Sequence, residues 1–239
     1  MKKQVSLLLA ALLILGALAG CTQSAPPAAS ATPEPAPTAP PATEIAASKA
    51  YIIVQGYEWG PAIPKIVLEF AEDVSGFASD TFEVAFGSTK RTVKDVYSSD
   101  ADGNQADGAG KHLTIEMAVK SSEASPFSYD MEKNVNTWAE TVDFTVTVAP
   151  GKTFSVGAAS YKEGDVCTCS VTAADRKVPQ TASWVKDTVD YQEEGKSITL
   201  TRAAWAPEGA DSDSGKNPLI IWLHGMGEGG TDIDIDLLG

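Results

Sequence analysis

Two histidines and three cysteines are the only soft metal ligands in this 239-residue chain. A structural zinc site draws four such groups together; Cys21 falls at the end of an N-terminal apolar run and Cys167 and Cys169 form a lone pair, with only two histidines besides, so no metal site is assigned. Basic residues are also scarce: 18 Lys and Arg stand against 32 Asp and Glu, a formal net charge of −14. Nothing concentrates cations against phosphates, which argues against nucleic acid as a partner. The acidity favours solubility and says little about fold. Beyond the first twenty residues no run is long and apolar enough to span a bilayer. A hydrophobic content of 43% still allows a real core, and the length suits one large domain or two small ones.

What is present begins with an export signal. Lys2 and Lys3 precede an uncharged apolar stretch from Val5 to Ala19. That stretch is short for a permanent membrane helix and right for a signal peptide. It ends in Leu18-Ala19-Gly20-Cys21, small residues before a cysteine, the pattern of a lipobox. Residues 1–20 are therefore expected to be cleaved and Cys21 to be lipidated. The mature protein would then be exported and held on a bacterial membrane by acyl chains, each adding about 0.8 kcal/mol per buried CH₂. Residues 21–49 follow as an expected tether. Seven of the chain's 14 prolines fall between Pro26 and Pro41, and such a composition favours disorder with polyproline character.

From Tyr51 the pattern becomes that of strands. Ile66, Leu68 and Phe70 alternate with Lys65, Val67 and Glu69; Phe82, Val84 and Phe86 alternate with Glu83 and Ala85. Leu113, Ile115, Met117 and Val119 form a third series, and Val142, Phe144, Val146 and Val148 a fourth. Period two means one dry and one wet face, as in antiparallel sheets. Short strands separated by turns such as Gly87-Ser88 and Pro150-Gly151 predict a β-sandwich over residues 50–150, with an extension towards 190 open and 151–190 otherwise a connecting region. Cys167 and Cys169 would share one strand face. A disulfide between them would be strained, so two unpaired, packed thiols are expected.

Three features of this region invite functional readings. Asp100, Asp102 and Asn104 match positions 1, 3 and 5 of a calcium loop, but Gln105 and Lys111 replace its glycine and its bidentate Glu. A polar turn between two strands explains the same residues. His112 falls on a polar strand face and reads as a solvated histidine. Trp59, Trp138 and Trp184 suit a sugar site, although core packing is the commoner role of a scattered tryptophan.

Near residue 190 the character changes. Ser197 to Trp205 reads as a strand, followed by a polar loop from Pro207 to Asn217. Then Pro218-Leu219-Ile220-Ile221-Trp222-Leu223 is continuously apolar, the mark of a strand buried on both faces of a parallel sheet. It runs straight into His224-Gly225-Met226-Gly227-Glu228-Gly229-Gly230-Thr231-Asp232. A glycine-rich turn after a buried strand lets backbone N–H groups face an anion. The loop lacks the Lys-Ser/Thr of a phosphate-binding P-loop.

These residues resemble bacterial two-domain esterases, also described as predicted peptidases, with an N-terminal Ig-like domain and a C-terminal α/β-hydrolase domain. Leu223 to Asp232 is similar to that group's LHGxGExGxD signature. Gly56 to Pro61, Asp95-Val96-Tyr97 and Pro126 to Tyr129 are similar to its Ig-like part. The resemblance implies a mainly β chain: an Ig-like antiparallel β-sandwich, then the first strands of an incomplete α/β-hydrolase domain over 191–239. It implies a serine carboxylic-ester hydrolase without a cofactor, acting on a small or polymeric ester. His224, Gly225, Met226 and Gly227 would form the oxyanion loop, with the Met226 N–H the first choice of donor and Gly227 next. It implies an Ig-like domain that aids homo-oligomeric assembly or restricts access to the site. The GxSxG elbow of the family does not occur in these 239 residues. The triad is expected beyond Gly239, and the chain as written is expected to be an inactive fragment. A non-catalytic, surface-anchored β-sandwich binding module is the competing reading.

Overall fold

A computed structural model describes residues 41–121, 123, 125–210 and 217–238. The signal peptide, Cys21 and the tether up to residue 40 lie outside the described residues. Strands are numbered in chain order. One sheet contains β1 (Lys49–Tyr57), β2 (Gly60–Ser75), β5 (Val93–Ser99), β6 (Gly110–Met117), β10 (Thr153–Val156), β11 (Ala159–Lys162) and the short β13 (Arg176–Lys177). The other holds β3 (Phe82–Phe86), β4 (Thr89–Arg91), β9 (Val142–Val148) and β12 (Val166–Val171) in the order β12-β9-β3-β4. Two separate hairpins complete the strands: β7 (Phe127–Asp130) with β8 (Val135–Trp138), and β14 (Val185–Glu193) with β15 (Lys196–Ala204).

The long strand β2 organises the larger sheet. Its Ile66 pairs with Ile52 of β1 on one edge and Ile115 of β6 on the other. The named strands pair antiparallel except where Ile52 of β1 meets Arg176 of β13 in parallel, and Glu44 makes a parallel bridge to Val166 of β12. The alternating residues named from the sequence make the core. Ile66, Leu68, Phe70, Leu113 and Ile115 belong to the same buried cluster as Val84, Phe86, Phe144, Val146 and Val148. Phe154 lies among Phe82, Tyr161 and Phe70, with ring centroids 4.9, 5.0 and 6.4 Å away.

Four expectations need correction. First, alternation puts Val67 on the wet face of its strand, yet it is fully buried, as is Thr114, with Ile53 nearly so. The Asp100 loop folds across that outer face. A Cβ on Gly103 would lie 3.3 Å from Ile53 Cγ1 and 3.4 Å from Val67 Cγ2, and Gly103 takes φ +74°, a region that disfavours other residues. Lys65 Nζ and Tyr97 O–H both donate to the Gly103 carbonyl, at 3.2 and 3.3 Å.

Second, the tether reading overruns. Ile45 is buried, its N–H donates to Val166 O at 2.7 Å, and Val166 N–H donates to Thr43 O at 2.9 Å. A lone isoleucine after the last proline of the stretch has apolar area to bury and free backbone to pair. Third, residues 151–190 are no mere connector. β10 and β11 extend the larger sheet and β12 forms an edge of the smaller one. Strands of four residues are too short to announce themselves by alternation.

Fourth, the tryptophans are not core residues. Trp59 sits at the β1–β2 turn, 39% exposed and stacked on Tyr57 with centroids 5.1 Å apart. Trp138 and Trp184 are only half-buried.

The hairpin of β14 and β15 stands apart from both sheets. One of its faces carries the pairs Val189–Leu200 and Tyr191–Ile198, all four side chains exposed. Its other face is polar, with Thr188 opposite Thr201 and Asp190 opposite Thr199. Among the described residues no helix is long and apolar enough to cross a membrane.

Candidate functional site

The glycine-rich loop is where sequence chemistry and structure meet. Gly225 precedes a single 3-10 turn, Met226–Glu228, and Glu228 N–H closes it on Gly225 O at 3.3 Å. The first N–H groups of such a turn have no partner within it, which leaves Met226 and Gly227 N–H as donors for an anion. His224 is exposed, and its Nδ1 lies 2.7 Å from Gly225 O, so the imidazole braces its own loop. Met226 is largely exposed. The structure thus brings His224, Gly225, Met226 and Gly227 into one loop.

The apolar run before the loop differs from its expectation. Leu219, Ile220, Ile221, Trp222 and Leu223 are all exposed and belong to no sheet. A strand needs a neighbour for its N–H and C=O groups, and none of the described residues lies paired beside this run. Its composition is that of a two-sided buried strand; its burial is not supplied by the sandwich.

The loop is nonetheless docked. After it, Asp232 caps a short helix, α1 (Ile233–Asp236), accepting from Asp234 N–H at 3.1 Å through Oδ1. The other oxygen, Oδ2, accepts from Trp138 Nε1–H at 2.7 Å. Trp138 is held between Phe127, edge-on at 4.7 Å, and the Arg176 guanidinium, 4.3 Å from the ring centroid. Arg176 also donates to Ala139 O at 3.1 Å. Burial lowers the guanidinium's ionisation range, and Asp232 opposes that shift. Ile235 within the helix and Leu238 just past it are buried, Leu238 within the sandwich core cluster. Thr181 Oγ1–H donates to Asp234 Oδ1 at 3.1 Å, and Lys186 pairs with the same carboxylate. Asp236 lies buried enough to push its carboxyl up, with His224 pulling the other way.

These anchoring residues were not found from the sequence as a group. Trp138, Thr181 and Arg176 are distant from the loop along the chain, and no spacing rule joins them to it. The one signal visible in the sequence is the tryptophan itself, whose type suits a sugar site or the core.

The remaining candidates resolve into structural roles. Asp100 spends its carboxylate inside its own turn, accepting from Asp102 N–H and Asn104 N–H at 2.8 and 2.9 Å and from Asn104 Nδ2 at 2.9 Å. The Lys177 ammonium pairs with Asp102 at 2.8 Å. His112 lies half-buried with Nε2 3.8 Å from Glu69 Oε2. Cys167 and Cys169 are both free and buried.

Comparison with known proteins places this geometry in context. No curated protein matches the sequence. Among solved structures, the chain is similar to one described as "Crystal Structure of a Thermostable Esterase", with a TM-score of 0.57 and 19% identity. The likeness covers 80% of this chain and 50% of that one, so the chain spans about half the length of that esterase, and the similarity speaks to fold. A family model described as "Esterase Ig-like N-terminal domain" matches residues 49–196, more than half of the chain. The chain therefore belongs to the esterase family marked by this Ig-like N-terminal domain.

Proposed function

We propose that the chain is the N-terminal part of an exported, lipid-anchored serine carboxylesterase, in which the Ig-like sandwich carries the first elements of an α/β-hydrolase domain. The observation that carries this reading is the loop from His224 to Gly227, directly after an apolar run built for a sheet interior and anchored on the sandwich through Asp232 and Leu238. The amphipathic β14–β15 hairpin and Leu219–Leu223 together offer the apolar surface that further strands and helices of a hydrolase sheet would cover. In that enzyme a serine would attack the ester carbonyl while a histidine takes its proton. Met226 and Gly227 N–H would hold the oxyanion, a contribution of about 2.7–4 kcal/mol per donor in such sites. Cys21 would anchor the protein to the membrane, and the ester substrate would be a small molecule or a polymer.

The test is to read the gene beyond the codon for Gly239 and assay its full product. A continuing frame with a GxSxG, then an Asp and a His, and a product that hydrolyses p-nitrophenyl butyrate and is labelled by a fluorophosphonate, is the expected result. A stop codon at that point and no labelling would overturn it. The stacked pair of half-buried Tyr57 and exposed Trp59 favours a second reading in that event: a surface module binding a sugar ring, testable by titrating the protein with soluble glycans.

A further inference from the structure

The hairpin of β7 and β8 belongs to neither sheet of the sandwich. It has two four-residue strands and a tight turn through Asn134, which takes φ +55°. An isolated two-stranded hairpin is marginal in water, so its order depends on what it packs against. One end is held by the sandwich, through Phe127 and Trp138, which pack against the core cluster. The rest faces the glycine loop. A Cβ on Gly227 would lie 3.3 Å from Asn136 Nδ2 and 4.0 Å from Tyr129 Cε2, and one on Gly229 would lie 3.8 Å from Val135 Cγ1. The loop backbone therefore rests directly on the hairpin, most closely at Gly227, where an added Cβ would be tight against Asn136.

We infer that the Phe127–Trp138 hairpin is the backing plate of the oxyanion loop, with Trp138 as the positioning residue that clasps the loop through Asp232. The inference rests on the oxyanion reading of that loop. Its physical content is preorganisation: an oxyanion hole is effective only when its donors are held before charge develops. Glycines give the loop freedom that must be removed from outside. Asp232 suits the task because its two oxygens serve two partners. Oδ1 caps α1 behind the loop and Oδ2 binds the indole, so the end of the loop is fixed in both directions. The clasp bridges 94 positions of sequence, from the Ig-like part to the hydrolase part. The Ig-like domain would then act on catalysis itself, through the backbone of the loop.

Hydrogen exchange of the 239-residue protein tests the clasp without any need for turnover. Trp138→Phe keeps an aromatic ring beside Phe127 and Arg176 and removes the N–H donor together with part of the indole surface. A second variant replaces residues 128–137 by a short glycine turn, sparing both sheets. The expected result is at least tenfold faster exchange of the hydrogen-bonded amides of Glu228, Asp234 and Ile235 in both variants, with β9 unchanged and with Trp59→Phe behaving as wild type. Loop exchange within twofold of wild type in both variants would overturn the clasp and leave the esterase reading standing. In the full gene product, Trp138→Phe is expected to lower kcat for p-nitrophenyl butyrate about tenfold with KM within twofold. A loosened loop with unchanged kcat would overturn the positioning role and count against the oxyanion assignment itself.

Discussion

Cys167 and Cys169 place their Sγ atoms 3.2 Å apart on the inward face of β12, as unbonded thiols. A disulfide would need about 2.05 Å and a Cα separation at the limit of what a strand provides. The Cys167 thiol is eased towards ionisation by the hydrogen bond with Cys169, while that bond and burial push Cys169 strongly up. Both are buried, so neither should meet solvent in the native state. Alkylation by iodoacetamide is expected to be slow on the folded protein and to reach both thiols in denaturant, read by mass spectrometry. Rapid native labelling, or an intact mass two hydrogens light, would contradict this arrangement.

Phe154 fills the space between the two sheets and contacts three aromatic rings. Phe154→Ala removes that volume from a site with almost no exposure. The expected loss is about 3–5 kcal/mol, measured by urea denaturation. Phe154→Leu should cost clearly less, because it leaves a smaller cavity.

Asp165 is buried and accepts two backbone hydrogen bonds, from Thr43 N–H at 2.7 Å and Lys162 N–H at 2.9 Å. The Lys162 and Thr43 N–H groups hold its carboxyl below the usual value of 3.8. A depressed native pKa stabilises the fold above the unfolded pKa, and that contribution is lost as pH falls through the native one. Stability should therefore drop below about pH 4. Asp165→Asn should cost about 1.5–3 kcal/mol at pH 7 and flatten the acid limb, as read by thermal melts at several pH values.

Arg91 has a side chain wholly removed from solvent. It donates to Ala118 O at 3.0 Å and lies 3.3 Å from Glu123 Oε2 and over the Phe86 ring. Burial lowers its ionisation range and Glu123 counters that. Glu123→Gln leaves a buried charge uncompensated and should cost about 3–5 kcal/mol, whereas Arg91→Met with Glu123→Gln together should recover much of it. A double-mutant cycle showing simple additivity would contradict the coupling.

Residue patterns alone determined the strands of the core: the alternation in Phe82–Phe86 and Val142–Val148 reappears as buried positions alternating with more exposed ones. They also determined that Cys167 and Cys169 share a face, and that a glycine loop follows an apolar run. These are local properties, since period two and turn chemistry are written within a few neighbouring residues. The tertiary structure alone decided what covers what. Val67 is buried because the Asp100 loop crosses it, and Ile45 because β12 offers a free edge. The Asp232 carboxylate meets Trp138 because both sit where the chain returns to the sandwich. Such contacts join residues tens of positions apart, where loop closure is set by the whole fold and no local pattern records it.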